Sequence, residues 1–488
     1  MNNMHGSSLK FGTSGLRGLA VELEGQAARQ YTAAFLRYLA GIGLKGGGEV
    51  FLARDFRPSS AAIQRDCAIA IAEAGLSPVD CGAIPTPALA NHAMALGGPA
   101  IMVTGSHIPA DRNGLKFYLP GGEISKADEA GIMAALRDEA IADREIVPLD
   151  QFELASERYF QRFDHLLPKG ALAGLRIGVF EHSSVARDFL TRILRHFGAE
   201  TISLGRIDGF VPVDTEAFGD AVFQPLRIWV EQHGLDAVVS ADGDGDRPLL
   251  MDGKGEFVRG DVLGLVTAAY LGARSVVTPV TSNSAIERTG YFSTVIRTRV
   301  GSPYVVEGLA GAEGPAIGFE ANGGTFVGKG VMSNERALPP LETRDAILPL
   351  LCVLGAATKR GETVDALVAD LPLQIALADR LPDVPSERSA QFLRRLEEEE
   401  GYAEALFAPR RIGRLSSVDG MQFHLEPEGM VHFRASGNAP ELRCYVEAPT
   451  LDLARSLLEW GMASAARETR GQPDLSLPAA SGFVDRSD

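Results

Sequence analysis

Three times along the chain an apolar strand leads into a helix start marked by serine or asparagine. Each helix then stops at a glycine before a second strand. "EVFLARD" (49–55) precedes a helical stretch from Ser59-Ser60 to Ala74-Gly75, and "SPVDCG" closes that unit at Gly82. "LRIGVF" (175–180) is followed by Ser183-Ser184, a helical run to Phe197-Gly198, and "AETISLG" ending at Gly205. A looser copy joins "SVVTPV" (275–280) to Ser282-Asn283, a stop at Thr289-Gly290, and "YFSTVIRTRVG" to Gly301. At each helix start the serine or asparagine side chain can accept hydrogen bonds from free N–H groups, and glycine supplies the left-handed end. Strand, capped helix and strand, repeated, predict three α/β domains on one plan. The glycine spacing agrees only in the first two copies, so chance matches in an ordinary α/β chain are the competing reading.

After about residue 375 the pattern changes to a charged helix (387–402), three strand-like segments ("GMQFHLEP", "GMVHFRAS", "LRCYVEAP") and a helix, "LDLARSLLEWGMASAARE". This predicts a small α+β domain, with a disordered polar tail behind it. At 488 residues the chain is too long for one core, and by ordinary domain sizes holds roughly three or four. No apolar run approaches the ~20 residues of a membrane helix. The start, "MNNMHGSSLK", has no apolar signal region, so a cytoplasmic protein away from membranes is expected. Cys67, Cys81, Cys352 and Cys444 are scattered and read as reduced core residues. A net charge of −16 argues against a nucleic-acid partner, which needs a basic surface.

The chemistry concentrates in four places. In "DAVVSADGDGDRPLLMDGKG" (236–255) an apolar strand ends in Asp242, Asp244 and Asp246, closed by Arg247. Clustered carboxylates repel one another and are stable together mainly around a hard cation. An EF-hand is excluded, because Arg247 stands where that loop requires glycine and Gly253 where it requires glutamate. A solvated acidic turn is the bland alternative; the strand in front favours Mg²⁺. In "FRASGNAPELRCYVEA" (433–448), Arg434 and Arg443 bracket Ser436-Gly437-Asn438. Converging N–H groups, side-chain donors and bidentate charge suit a phosphate dianion, although an arginine-flanked turn is often just a turn. "FGTSGLRG" (11–18), ending at Arg17 and Gly18, reads equally as a phosphate cradle or a flexible loop. "GFEANGGTFVG" (318–328) holds Glu320 at a strand end, suited to sugar hydroxyls or to a plain hairpin turn.

"TGSHIPADRNGLKFY" (104–118) adds Ser106 beside His107, with Lys116 ten residues on. The surroundings do not fit the G-x-S-x-G elbow of an acyl-transferring serine. One serine, a triple-aspartate cation site and several anion loops fit phosphoryl transfer, where catalysis is mostly positioning and charge neutralisation.

In order, "TGSHIPADRNGLK", "DGDGDR", "GFEANGG" and "RASGNAPELR", with the "FGTSGLRG" opening, resemble the α-D-phosphohexomutases, the phosphomannomutase/phosphoglucomutase superfamily, over roughly residues 10 to 465. The resemblance implies an α/β fold: three related α/β domains plus a C-terminal α+β domain around a central cleft. The implied divisions are 1–150, 151–258, 259–374 and 375–466, then the tail 467–488. It implies a phosphorylated Ser106; Mg²⁺ on Asp242, Asp244 and Asp246 with the Ser106 phosphate; and Arg247 in the same catalytic loop. Lys116 and Arg17 would be general acid/base and charge stabiliser; on physical grounds Lys116 acts as base only if its pKa is lowered, and a nearby Arg17 would push it that way. His107 would help order the site, Glu320 and Asn322 would read sugar hydroxyls, and Arg434, Ser436, Gly437, Asn438 and Arg443 would grip the other phosphate. Ser106 would hand its phosphoryl group to the free 1- or 6-hydroxyl, giving a hexose 1,6-bisphosphate that turns over and returns its other phosphate.

Departures bear on the substrate. Many members carry G-E-x-S-G-H where this chain has Glu320-Ala321-Asn322-Gly323-Gly324, without the serine and histidine; some have a histidine where "TRVGSPY" has Ser302; and the phosphate loop, commonly S-G-T-E-P, reads Ser436-Gly437-Asn438-Ala439-Pro440. The T-G-S-H form around Ser106 leans toward mannose phosphates. The expected partner is a small-molecule sugar phosphate, for a monomer or homodimer. Rival readings are a glucose or glucosamine phosphate mutase, a silent sugar-phosphate-binding paralogue, and a Mg²⁺-dependent phosphatase.

Overall fold

Strands rich in Val, Ile, Leu and Ala build four sheets of five or more strands in the computed structural model, which describes residues 8–12, 15–44, 47–219, 221–437 and 439–470. In the first sheet Glu49–Arg54 lies between Ser77–Asp80 and Ala100–Val103, parallel to both, and Ala100–Val103 then pairs antiparallel with Arg112–Leu119. The second sheet repeats this: Arg176–Phe180 lies between Glu200–Leu204 and Ala237–Ala241, parallel to both, and Ala237–Ala241 turns back antiparallel into Pro248–Asp252. In the third, Ser275–Pro279 sits between Thr294–Thr298 and Ala316–Phe319. It runs parallel to Ala316–Phe319, which reverses into Thr325–Val327. The repeat predicted from the sequence is therefore a repeat of sheet order.

The central strands are buried on both faces, as parallel strands covered by helices must be; Ala100–Val103, Ala237–Ala241 and Ala316–Phe319 are buried along their whole length. The helix stops fall as expected, with Gly75, Gly198 and Gly290 all at positive φ. The helix starts differ from expectation in the first copy. Ser59 makes no side-chain cap; the Ser59 and Ser60 hydroxyl oxygens instead accept from Asn113 Nδ2, at 2.8 and 2.9 Å, and Ser60 also donates to Asp55. In the other copies Ser184 Oγ accepts from Ala186 N–H and Asn283 Oδ1 from Ala285 N–H, but these bonds lie in the turn before each helix, and the helix N-caps, Ala186 and Ser284, make no side-chain cap.

The chain divides into two compact units. One comprises residues up to Pro279 with Tyr291–Ile296 and Gly301–Asp370; the other comprises Val280–Gly290, Arg297–Val300 and the chain from Leu371 onward. The second unit contains the fourth sheet, antiparallel throughout, in the order Ile375–Leu381, Leu442–Ala448, Met430–Ala435, Met421–Glu426, Arg411–Ser416. Phe392 and Leu457, from its helices Ser386–Glu398 and Leu451–Arg470, pack in one core with Phe423, Phe433 and Val446. Among the described residues no helix is long and apolar enough to cross a membrane. The tail beyond residue 470 lies outside the described residues.

Candidate active site

Three of the predicted loops occupy the same place in the three repeats. Each follows the third strand of its copy, where the chain passes from parallel to antiparallel pairing: Ser106 after Ala100–Val103, the aspartates after Ala237–Ala241, and Glu320 after Ala316–Phe319.

Ser106 sits at φ 54°, in the left-handed region, so its conformation has to be held from outside. Its N–H donates to Thr104 Oγ1 at 2.7 Å, and its carbonyl accepts from Arg57 Nη2 at 2.9 Å. Arg57 and Asp55 were not singled out from the sequence. The Arg57 guanidinium also donates to the carbonyls of Ile108, Pro109 and Arg112, and packs over the Phe210 ring. Asp55 receives the Arg57 Nε, the hydroxyls of Ser60 and Thr104, and the Gly105 N–H. Both side chains are fully buried. Arg57→Ala leaves a buried carboxylate without its cation, so we expect a loss of about 3–5 kcal/mol of stability, measured by urea unfolding. A loss below about 1 kcal/mol would show that the cage does not hold this loop.

The Ser106 hydroxyl donates to Asp242 Oδ2 at 2.5 Å and lies 3.3 Å from His107 Nδ1. Asp242 Oδ1 folds its own loop by accepting the N–H groups of Asp246 and Arg247, each at 3.1 Å. Asp244 Oδ2 accepts the Thr86 hydroxyl and the Lys116 ammonium, both at 2.6 Å. Asp246 Oδ2 accepts Lys116 at 2.6 Å and two nitrogens of Arg344 at 3.0 and 2.9 Å. The remaining oxygens, Asp244 Oδ1 and Asp246 Oδ1, are buried without a hydrogen-bond partner, and the three carboxylates offer ligand atoms within 4.8 Å of one another. Buried orphan oxygens on converging carboxylates are what a hard divalent cation satisfies. Electrostatics agrees. Burial, then Asp244 and Asp246, push the Asp242 carboxyl well above its ordinary range. Burial also presses Asp246 upward, but Arg344, Lys116 and Arg247 outweigh it and hold that carboxyl below its ordinary range. Arg247 itself reaches toward Glu216 at 3.5 Å and Asp246 at 3.8 Å.

One expectation is corrected. Burial does press the Lys116 ammonium down, but Asp244 and Asp246 outweigh it, so its pKa stands above the usual lysine value rather than below. His107 is driven down to about 2 by burial and by the charges of Arg247 and Arg17, so it is a neutral imidazole across the physiological range. Arg17 is lowered to about 10, by burial and then by Arg247 and Arg344, and stays charged. It lies on a strand, Leu16–Leu19, that pairs Arg17 with Gly114, two residues from Lys116. Thr13 and Ser14 of the opening loop lie outside the described residues.

Glu320 and Asn322 form a hairpin turn between Ala316–Phe319 and Thr325–Val327, with Gly323 at φ 85°. The turn is an ordinary one, closed by Asn322 Oδ1 accepting Gly324 N–H, yet Glu320 Oε2 is drawn to Arg344 Nη1 at 2.9 Å and so joins the aspartate cluster. Arg344 was missed in the sequence. An apolar cavity of about 870 Å³ opens elsewhere in the first copy, between Leu36, Leu39, Ala70 and Ile141, and none of these groups lines it.

In the second unit, Arg434 Nε donates to Asp419 at 2.6 Å, and Arg443 donates twice to Glu441 Oε1, at 2.8 and 2.6 Å. The two arginines are directly opposed on neighbouring strands, and Arg380 stands opposite Arg443 on its other side. Ser436 N–H bonds the Glu441 carbonyl, closing the turn, and nothing crowds Gly437. Asn438 lies outside the described residues.

The sequence matches two family profiles, "Phosphoglucomutase/phosphomannomutase, alpha/beta/alpha domain I" over residues 8–142 and the corresponding domain III over residues 259–374. It is 46% identical over 468 residues to a phosphomannomutase of Sinorhizobium fredii, covering 93% of this chain and 98% of that protein. The chain belongs to the phosphoglucomutase/phosphomannomutase family. A phosphomannomutase of Salmonella muenchen is 40% identical across 93% of this chain and 95% of its own length. The mutase fold is shared with a solved phosphoglucomutase/phosphomannomutase family protein of Burkholderia thailandensis, at TM-score 0.72 and 20% identity, covering 94% of this chain and 97% of that one. An Aspergillus fumigatus N-acetylphosphoglucosamine mutase, solved with glucose 1,6-bisphosphate, aligns at TM-score 0.57 and 15% identity, over 96% of each chain.

Proposed function

We propose that this mutase-family protein interconverts mannose 6-phosphate and mannose 1-phosphate through a phosphorylated Ser106 and a hexose 1,6-bisphosphate. The observation that carries the reading is the Ser106 hydroxyl 2.5 Å from a buried triple-aspartate cluster that also holds Lys116. Asp242, Asp244 and Asp246 hold the divalent cation, Mg²⁺ in this reading, whose charge offsets that of the phosphoryl oxygens. In the first half-reaction the bond from Ser106 Oγ to phosphorus breaks and one to the free sugar oxygen forms, the sugar hydroxyl losing a proton and Oγ gaining one. In the second, the bond from the other sugar oxygen to its phosphorus breaks and the bond to Oγ forms again, Oγ losing its proton and that sugar oxygen gaining one. Asp242 touches Oγ, and Lys116, held between Asp244 and Asp246, is placed to exchange the proton. Arg17 and Arg247 add positive charge, while neutral His107 orients the serine. Ser106 is only 1% exposed, which favours return of the phosphoryl group to sugar over loss to water.

Glu320 and Asn322 read the sugar hydroxyls, and Arg434, Ser436, Gly437, Asn438 and Arg443 bind the phosphate not in transfer. The division into 1–150, 151–258, 259–374 and 375–466 is supported by the four sheets and the two profile spans. Mannose is favoured because relatives at 46% and 40% identity are phosphomannomutases, whereas a phosphoglucosamine mutase of Frankia casuarinae stands at 30%. Side-by-side kcat/KM for mannose, glucose and glucosamine 1-phosphates tests the assignment. Mannose 1-phosphate is expected to lead, a lead for glucosamine 1-phosphate overturns it, and free phosphate released at the rate of turnover indicates a phosphatase instead.

A further inference from the structure

Arg344 lies on the last strand of the third sheet, Leu341–Asp345, and its side chain is 2% exposed. It is fixed from behind. Its neighbour Asp345 accepts the N–H groups of Ile347 and Leu348 at the start of the helix Ile347–Arg360, and the Tyr159 hydroxyl at 2.9 Å. In front, one planar guanidinium serves two loops: Nε and Nη2 to Asp246 Oδ2, Nη1 to Glu320 Oε2. The Gly323-Gly324 pair explains how it gets there. Gly323 provides the positive φ of the turn, but Gly324 does not lie in the left-handed region. Its lack of a side chain is a matter of space: a Cβ there would stand 2.6 Å from Arg344 Cδ and 2.7 Å from Cγ. Gly324 is also the position at which a G-E-x-S-G-H loop would place its histidine. The arginine stem fills the space that a side chain at 324 would need.

We infer that Arg344 is a positioning residue that fixes the sugar-reading carboxylate Glu320 against the aspartate loop, and thereby sets which hexose epimer this site prefers. The inference rests on the proposed role of Glu320. It also follows that Asp246, with Oδ2 held by Arg344 and Lys116, keeps its orphan Oδ1 turned elsewhere. A lysine at 344 keeps the charge but has a single ammonium and cannot serve both carboxylates with the fork of a guanidinium.

The test compares wild type, Arg344→Lys, Glu320→Gln and the double variant, with kcat and KM for mannose 1-phosphate and glucose 1-phosphate and thermal unfolding of each. Wild type and Ser106→Ala are measured first, so that an inactive wild type counts against the mutase reading and not against Arg344. We expect Arg344→Lys to lower kcat/KM for mannose 1-phosphate roughly 10- to 100-fold, to bring the ratio between the two sugars toward one, and to be non-additive with Glu320→Gln. Gly324→Ala, which displaces the Arg344 stem and removes no charge, is expected to shift the same ratio. An unchanged ratio in Arg344→Lys and Gly324→Ala, or fully additive losses in the double variant, overturns the inference. So does a lowered melting temperature with the ratio intact, which marks a merely structural role.

Discussion

Ser106→Ala is expected to lower mutase turnover by at least about a thousandfold, because it removes the oxygen that carries the phosphoryl group between the two hydroxyls in the proposed exchange. The variant should fold. It removes one hydroxyl that donates to Asp242, while the backbone of the loop stays caged by Arg57 and Thr104. Intact mass spectrometry with peptide mapping checks the same point without kinetics. Wild type is expected to carry one phosphoryl group on Ser106 that disappears on addition of hexose phosphate and is absent from Ser106→Ala. A serine that stays unmodified, and that no hexose 1,6-bisphosphate can charge, would sink the mechanism.

Lys116→Met should cost almost as much. The ammonium sits 2.6 Å from both Asp244 and Asp246 in a fully buried setting, so it combines proton transfer with neutralisation of the cluster. Loss of a positioned acid–base group lowers kcat by about 10²–10⁴. Stability should respond in a way that a simple catalytic lesion does not. Without Lys116 the two carboxylates lose a buried counter-charge, so the melting temperature falls in the absence of Mg²⁺. It should recover on adding Mg²⁺, because a ligand that binds only the folded state stabilises it by mass action. Near-normal kcat across pH would remove Lys116 from proton transfer, and a melting temperature indifferent to Mg²⁺ would remove the cation from this cluster.

The groups legible in the sequence share a property: they are close neighbours along the chain. Asp242, Asp244 and Asp246 announce a cation site because a strand end and two glycines place them together locally. Ser106 and Lys116 fall within one loop and strand. What escaped notice depends on long-range meetings. Arg57 reaches Ser106 across 49 positions, and Arg344 reaches Asp246 across 98; an isolated arginine in "RDFRPSS" or "LETRDAI" carries no local mark of either. The direction of the Lys116 pKa was misread for the same reason, since its two carboxylate partners lie 128 and 130 residues away. Fold class was more legible because strand runs and glycine stops are local. The Ser59-Ser60 cap failed where a tertiary partner, Asn113, claimed the hydroxyl oxygens.

The shared position of the three loops, each at the reversal after the third strand, has a consequence for how such a chain diversifies. In the proposed function, one turn, present three times, takes three separate duties: carrying a group, balancing charge and choosing a sugar. In that reading a change at residues 320–324 alters sugar preference, and through Arg344, which binds both Glu320 and Asp246, it also reaches the aspartate loop.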